Sequence, residues 1–195
     1  MATNYCEKYI LSDIVPDCAN PMTKGVSREA VIINRADIES VTRDTQNPAI
    51  ITAMALKTGK KGYKVIQMGK KPYNGTTAAL QASDNGNTIN KTITIRVLDA
   101  GPEVAQNILN PMLNSDFVMI LKNNYKGADG KAKYEVYGLE QGLSVSAFDR
   151  DIYSDDAQAG YTIALTEEGA PSVALYLFAT DEKATDTLVE GFVSK

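Results

Sequence analysis

The sequence predicts an α+β fold that is mostly β: a β-sandwich or barrel-like core, one short flanking helix at about 101–114, and an arm at each end. Three observations predict it. Apolar residues recur at period two through most of the chain, the spacing of half-buried strands. Glycine-rich and Asn-Gly punctuation falls between those runs. The strongest break in the β rhythm opens on Gly101-Pro102-Glu103, where proline suits a first helical position and the glutamate suits the positive end of the helix dipole.

Taken in order, residues 1–26 read as an N-terminal arm, 27–180 as a β-rich core domain and 181–195 as a C-terminal arm with helical character. Runs at Ala30–Asn34, Ile50–Lys57 and Tyr63–Met68 read as strands, and Gly59-Lys60-Lys61-Gly62 reads as the loop of a hairpin between the last two. Ile89, Lys91, Ile93, Ile95 and Val97 share one parity in a long strand that follows an Asp84-Asn85-Gly86 turn. In the helix, Val104, Ile108, Leu109 and Met112 fall on one face, and Pro111 ends or kinks it. Phe117–Lys122 and the strand at Tyr134 are separated by Gly127-Ala128-Asp129-Gly130. Tyr137-Gly138-Leu139-Glu140-Gln141-Gly142-Leu143 reads as a bend where the chain changes sheet. Strands at Leu143–Ala147, Tyr161–Leu165 and Val173–Phe178 follow, the last apolar on both faces. Leu188, Val189, Phe192 and Val193 recur at helical spacing after a Thr187/Glu190 capping box, and such a stripe must dock on its own core or on a neighbour.

The 195 residues fit one domain or two small ones, and 44% apolar content is that of a folded chain. There is no histidine. That excludes Ser-His, Cys-His and His-metal constellations, which need a group titrating near neutrality. The expectation is therefore no enzyme, no cofactor and no metal. Two cysteines, Cys6 and Cys18, cannot complete a tetrahedral zinc site and read as plain thiols, with a disulfide as the alternative. The start of the chain lacks the basic and apolar regions of a secretory signal, and the longest apolar run, Val173 to Ala179, is far too short to span a bilayer. A cytoplasm-like site of assembly without membrane contact is expected.

The net charge of -4 hides a segregation. Between Asp44 and Asp84 there is no acid, while Lys57, Lys60, Lys61, Lys64, Lys70 and Lys71 make that stretch cationic. From Glu135 onward acids far outnumber Arg150, Lys183 and Lys195. Subunits that stack on one another can use such complementarity, and so can a surface that contacts DNA. The Gly-Lys-Lys tripeptides lack phosphate-loop spacing. The densest acidic cluster, Asp149-Arg150-Asp151-Ile152-Tyr153-Ser154-Asp155-Asp156, offers hard oxygen ligands but misses the calcium-loop pattern, so it reads first as a polar loop. Candidate contacts between subunits are Lys60, Lys61, Lys70, Lys71, Asp149, Asp151, Asp155, Asp156, Leu188 and Phe192.

The stretch KYEVYGLEQGLSVSAFDRDIYSDDAQAGYTIALTEE, Lys133–Glu168, resembles structural proteins of tailed phages of Bacteroidetes, crAss-like phages included. Shared traits are a G-x-x-x-G-L bend, an aspartate-rich loop and a G-Y-x-I-x-L strand. Cys6, Asp17-Cys18 and Val31-Ile32-Ile33-Asn34-Arg35-Ala36-Asp37-Ile38 look like the opening of that group, and the likeness runs from about Cys6 to Thr180. It implies a tail-tube or tail-ring subunit near the neck of a virion. Its partners would be itself, as a hexamer or dodecamer, other tail or neck proteins, and phage DNA in passage. The resemblance carries no catalytic residues. The alternatives are a head-to-tail connector or capsid auxiliary protein, a nucleic-acid-binding β protein using Lys57–Lys71, and a metal-dependent hydrolase built on Asp149–Asp156.

Overall fold

A computed structural model describes residues 10–84, 86–155 and 157–194, so Cys6, Asn85, Asp156 and Lys195 lie outside the described residues. The strands are β1 Val26–Asn34, β2 Ile38–Arg43, β3 Ile50–Leu56, β4 Tyr63–Ile66, β5 Thr77–Gln81, β6 Thr88–Val97, β7 Phe117–Asn123, β8 Tyr134–Tyr137, β9 Ser144–Arg150, β10 Tyr161–Ala170 and β11 Leu175–Leu177. They form a seven-stranded sheet in the order β2-β3-β11-β8-β7-β1-β4 and a four-stranded sheet in the order β5-β6-β10-β9. The arrangement is sandwich-like and does not close into a barrel.

Two apolar layers follow from strand alternation. Phe117, Met119 and Leu121 of β7 point toward the four-stranded sheet and pack with Ile93, Ile95, Ile163 and Leu165. Val118 and Ile120 point the other way, to Ile33, Ile51, Leu175 and the C-terminal helix Glu182–Val193. The seven-stranded sheet is thus covered on both faces, which is why β7 reads as an unbroken apolar run. The four-stranded sheet is covered on one face. Its outer face carries a row of hydroxyls, with Thr166 Oγ1 lying 3.0 Å from Thr92 Oγ1 and 2.7 Å from Ser146 Oγ.

The helix at 102–112 is interrupted. Helical turns Pro102–Val104 and Asn110–Met112 flank a π-helical turn, Ala105–Leu109. Pro111 has no N–H to give, and the wider turn before it lets the helix pass through that residue instead of ending there. The extra residue in the turn also shifts the phase. Val104, Leu109 and Met112 are buried as expected, but Ile108 rotates to 43% exposure.

The Gly59–Gly62 loop is not a hairpin. β3 pairs with β2 and β4 pairs with β1, so the loop carries the chain from one end of the sheet order to the other. The path is tight at Gly62, where a Cβ would stand 2.9 Å from the Val31 side chain. Lys57 and Lys60 strap the loop to the 3-10 turn Arg35–Asp37: Lys57 Nζ donates to the Ala36 carbonyl at 2.7 Å, and Lys60 Nζ lies 3.3 Å from the Asp37 carboxylate. β5 and β6 do form a hairpin, as do β7 and β8. The bend at 138–142 passes the chain from β8 in one sheet to β9 in the other, as its glycines suggest.

The C-terminal segment belongs to the body. Its helix begins nearly two turns earlier than the Thr187/Glu190 pattern implies, because the Asp181 carboxylate accepts the Ala184 N–H at 2.7 Å and caps it there. Val173 is 68% exposed, and β11 is correspondingly short. Lys133 staples the helix to the sheet: its Nζ lies 2.7 Å from Glu182 and 2.6 Å from Asp186, and the Tyr134 hydroxyl donates to Asp186 at 2.7 Å. Burial opposes ionisation of Asp186 and Lys133, but these hydrogen bonds and charges outweigh it. They hold the Asp186 carboxyl below its ordinary value and the Lys133 ammonium above its own. A lowered carboxylate contributes stability that is present above its unfolded pKa and lost as pH falls through its folded one. The melting-temperature gap between the native chain and Asp186→Asn is therefore expected to be steady from about pH 6 to 8 and to close below about pH 3.

Candidate functional site

Three features stand out: a buried ionic cluster, a cationic cavity and an uncovered arm. The cluster lies between the sheets. Lys91 and Glu167 face each other across β6 and β10, each only 1% exposed, with Lys91 Nζ 3.5 Å from the Glu167 carboxylate and 3.9 Å from that of Glu140. Among the described residues Lys91 Nζ makes no hydrogen bond, so charge holds it. Glu167 is satisfied by the bend: the N–H groups of Gly138, Glu140 and Gln141 donate to it at 3.0, 3.0 and 2.9 Å. Glu140 accepts from Arg43 at 3.3 Å and from the Ser172 hydroxyl at 2.5 Å. Burial opposes ionisation of Glu140, but Ser172, Arg43 and Lys91 keep its carboxyl below the usual range. Two cations and two anions balance with every carboxylate engaged, the arrangement of a clasp between sheets.

The cavity, about 450 Å³, opens between the segment after β4, the end of β6 and the loop after β9. Lys70, Lys71 and Arg96 line it with Asn74, Gln158 and one acid, Asp155. Gln67 fixes the position of Arg96: its amide donates to the Arg96 carbonyl at 3.0 Å, and its carbonyl accepts the Arg96 N–H at 2.9 Å. Arg96 Nε is buried without a hydrogen-bond partner among the described residues. One wall holds a non-glycine residue in left-handed backbone, Gln158 with φ 47°.

The structure separates the sequence-derived candidates. Lys60 is engaged with Asp37, and Lys61 lies over the Tyr63 ring at 5.8 Å. Lys70, Lys71 and Asp155 come together around the cavity. Asp149 is exposed on β9, and Asp151 caps the following turn by accepting the Tyr153 N–H at 2.9 Å. Asp156 lies outside the described residues. Phe192 is buried in the subunit's own core and Leu188 is packed against it, so this pair serves the fold and Phe192 presents no surface to a neighbour.

Sequence reasoning missed the Lys91–Glu140–Glu167 cluster and Arg96. A signal for the first existed: Lys91 and Glu167 each occupy an inward parity among Ile and Leu residues, and a charge there needs a partner. Among the described residues, no group of three or more Cys, Asp or Glu side chains is placed to hold a metal ion, and no helix is long and apolar enough to cross a membrane.

The third feature is residues 10–25, which run without regular structure ahead of β1. Ile10, Leu11, Ile14, Val15 and Met22 are between 75% and 87% exposed along it. Cys18 is a free, exposed thiol on the same segment. Comparison of the chain with protein-family models, with curated proteins and with solved structures returned no match.

Proposed function

We propose that this chain is a virion structural protein, a tail-tube or tail-ring subunit near the neck that acts by self-assembly. The observation that carries the reading is the arm, whose five large apolar side chains are left three-quarters or more exposed by the described residues. Covering each contributes roughly 1.5–3 kcal/mol, so one docked arm offers on the order of 10 kcal/mol before ordering costs. Isolated exposed apolar residues are ordinary, but five on one extended segment mark an interaction element. Open sheet edges support the same reading. β5 is exposed along its whole length and bears no charge, proline or bulge to protect it.

The lysine stretch gives less support to a DNA-binding role, because Lys57 and Lys60 are spent on the Arg35–Asp37 turn. A conduit for DNA favours anionic lumen walls, and the acid-rich last third of the chain suits that place.

Light scattering and negative-stain imaging of the full chain between about 1 and 100 μM are expected to find closed rings or stacks. A chain that stays monomeric throughout that range overturns the reading. Genes for a portal and a major capsid protein are expected beside this one, and their absence removes the virion assignment.

A further inference from the structure

The arm needs an acceptor, and β4 has the matching surface. β4 ends the seven-stranded sheet, paired with β1 on one side and with nothing among the described residues on the other. Tyr63, Ile66 and Met68 are 52%, 55% and 61% exposed on and just after it. Lys64, Lys70 and Lys71 stand around this apolar edge, and none of them makes an ion pair among the described residues. The strand then leads into the cavity where Arg96 Nε lacks a hydrogen-bond partner among the described residues. The surface is apolar and open to backbone pairing, and its lysines make no ion pair among the described residues although Glu29, Asp155 and Glu190 lie nearby.

The arm is its complement. Ile10-Leu11-Ser12-Asp13-Ile14-Val15 puts Ile10 and Ile14 on one face of an extended strand and Leu11 and Val15 on the other. Pro16 ends the pairing-competent run, Asp13 and Asp17 are its acids, and no cation follows before Lys24. In its own subunit the arm makes no strand pairing with β4, and residues 10–25 carry no strand at all. The arm's root is pinned on the β7 side of β1, where the Asn124 N–H donates to the Gly25 carbonyl at 3.0 Å and the Asn124 amide to the Lys24 carbonyl at 3.2 Å. β1 stands between that root and β4.

We propose that residues 10–15 of one copy add as an edge strand to β4 of a second copy, with Asp13 and Asp17 set against Lys64, Lys70 and Lys71. Main-chain pairing gives the strength, and side-chain and charge matching give the register. The inference rests on the assembly reading above.

Two measurements on the full chain test it. Asp13→Lys with Asp17→Lys is expected to raise the dissociation constant for assembly at least tenfold, and adding Lys64→Asp with Lys70→Asp is expected to recover most of that loss. In a Cys6→Ser, Cys18→Ser background, Val15→Cys protein mixed with Ile66→Cys protein is expected to give a disulfide-linked dimer that neither gives alone. Both cysteine positions are exposed, so this readout survives even where the charge variants fold poorly. Assembly that is indifferent to the reversed charges, loss without rescue, or absence of the mixed disulfide while rings still form overturns the inference and leaves the assembly reading standing. A monomeric native chain overturns both.

Discussion

Gly138→Ala is expected to leave the chain unable to reach its native fold. A Cβ at this position would stand 2.3 Å from the Phe117 carbonyl oxygen, 2.7 Å from Leu143 Cγ and 2.9 Å from the Leu143 nitrogen. Those atoms form the bridge in which Phe117 and Leu143 exchange two hydrogen bonds of 2.9 Å, tying the start of β9 to β7. The backbone has φ +78°, which alanine adopts at a cost, so neither partner nor residue can yield. Strain, the lost bridge and displaced donors to Glu167 act together, and the loss should exceed about 4 kcal/mol. The readout is soluble yield and the urea midpoint. Soluble protein with a near-native midpoint would contradict the account of the bend.

Glu167→Ala should cost about 3–5 kcal/mol, because it leaves the buried Lys91 ammonium with only the more distant Glu140 and removes the acceptor of three backbone N–H groups. Lys91→Met should cost clearly less. It leaves Glu167 with its three donors and Glu140 with Arg43 and Ser172, and the thioether fills much of the space of the lysine stem. The order of the two midpoints in urea decides the matter. If Lys91→Met proves the more damaging, the ammonium is the organising element and the bend is secondary.

Much of this architecture is legible in the residues because its strongest elements are locally consistent. β6 and β10 show clean alternation, β7 an apolar run with both faces buried, and Gly101-Pro102-Glu103 a proper helix entry. What escapes is non-local or faint. β2 was hidden because register shifts between Ile38 and Ser40 and between Thr42 and Arg43 break its period. β5, Thr-Ala-Ala-Leu-Gln, buries no side chain and so carries no pattern. Gly59–Gly62 announces a reversal, but whether two strands pair depends on partners far away in sequence, and here both choose others. The candidate surfaces were partly legible. The lysine segment was visible as charge, while its division between a structural strap and a cavity wall needed the folded chain. The arm's apolar residues, Ile10, Leu11, Ile14, Val15 and Met22, form no periodic pattern that sets them apart from a core segment. Only their exposure marks them.

β11 also sets a clock. It is the sole link between the β2–β3 pair and β8, through the one parallel pairing among the described residues. The Tyr176 N–H reaches the Ala49 carbonyl at 2.8 Å, and the Phe178 N–H reaches that of Ile51 at 2.9 Å. The β2–β3 pair therefore waits for a strand made about 125 residues later, roughly 6–25 s of synthesis. Throughout that wait the apolar side chains of β3 have no neighbour on one flank. A nascent chain halted before residue 175 holds a sheet in two pieces, and the arrival of β11 commits the subunit to its shape.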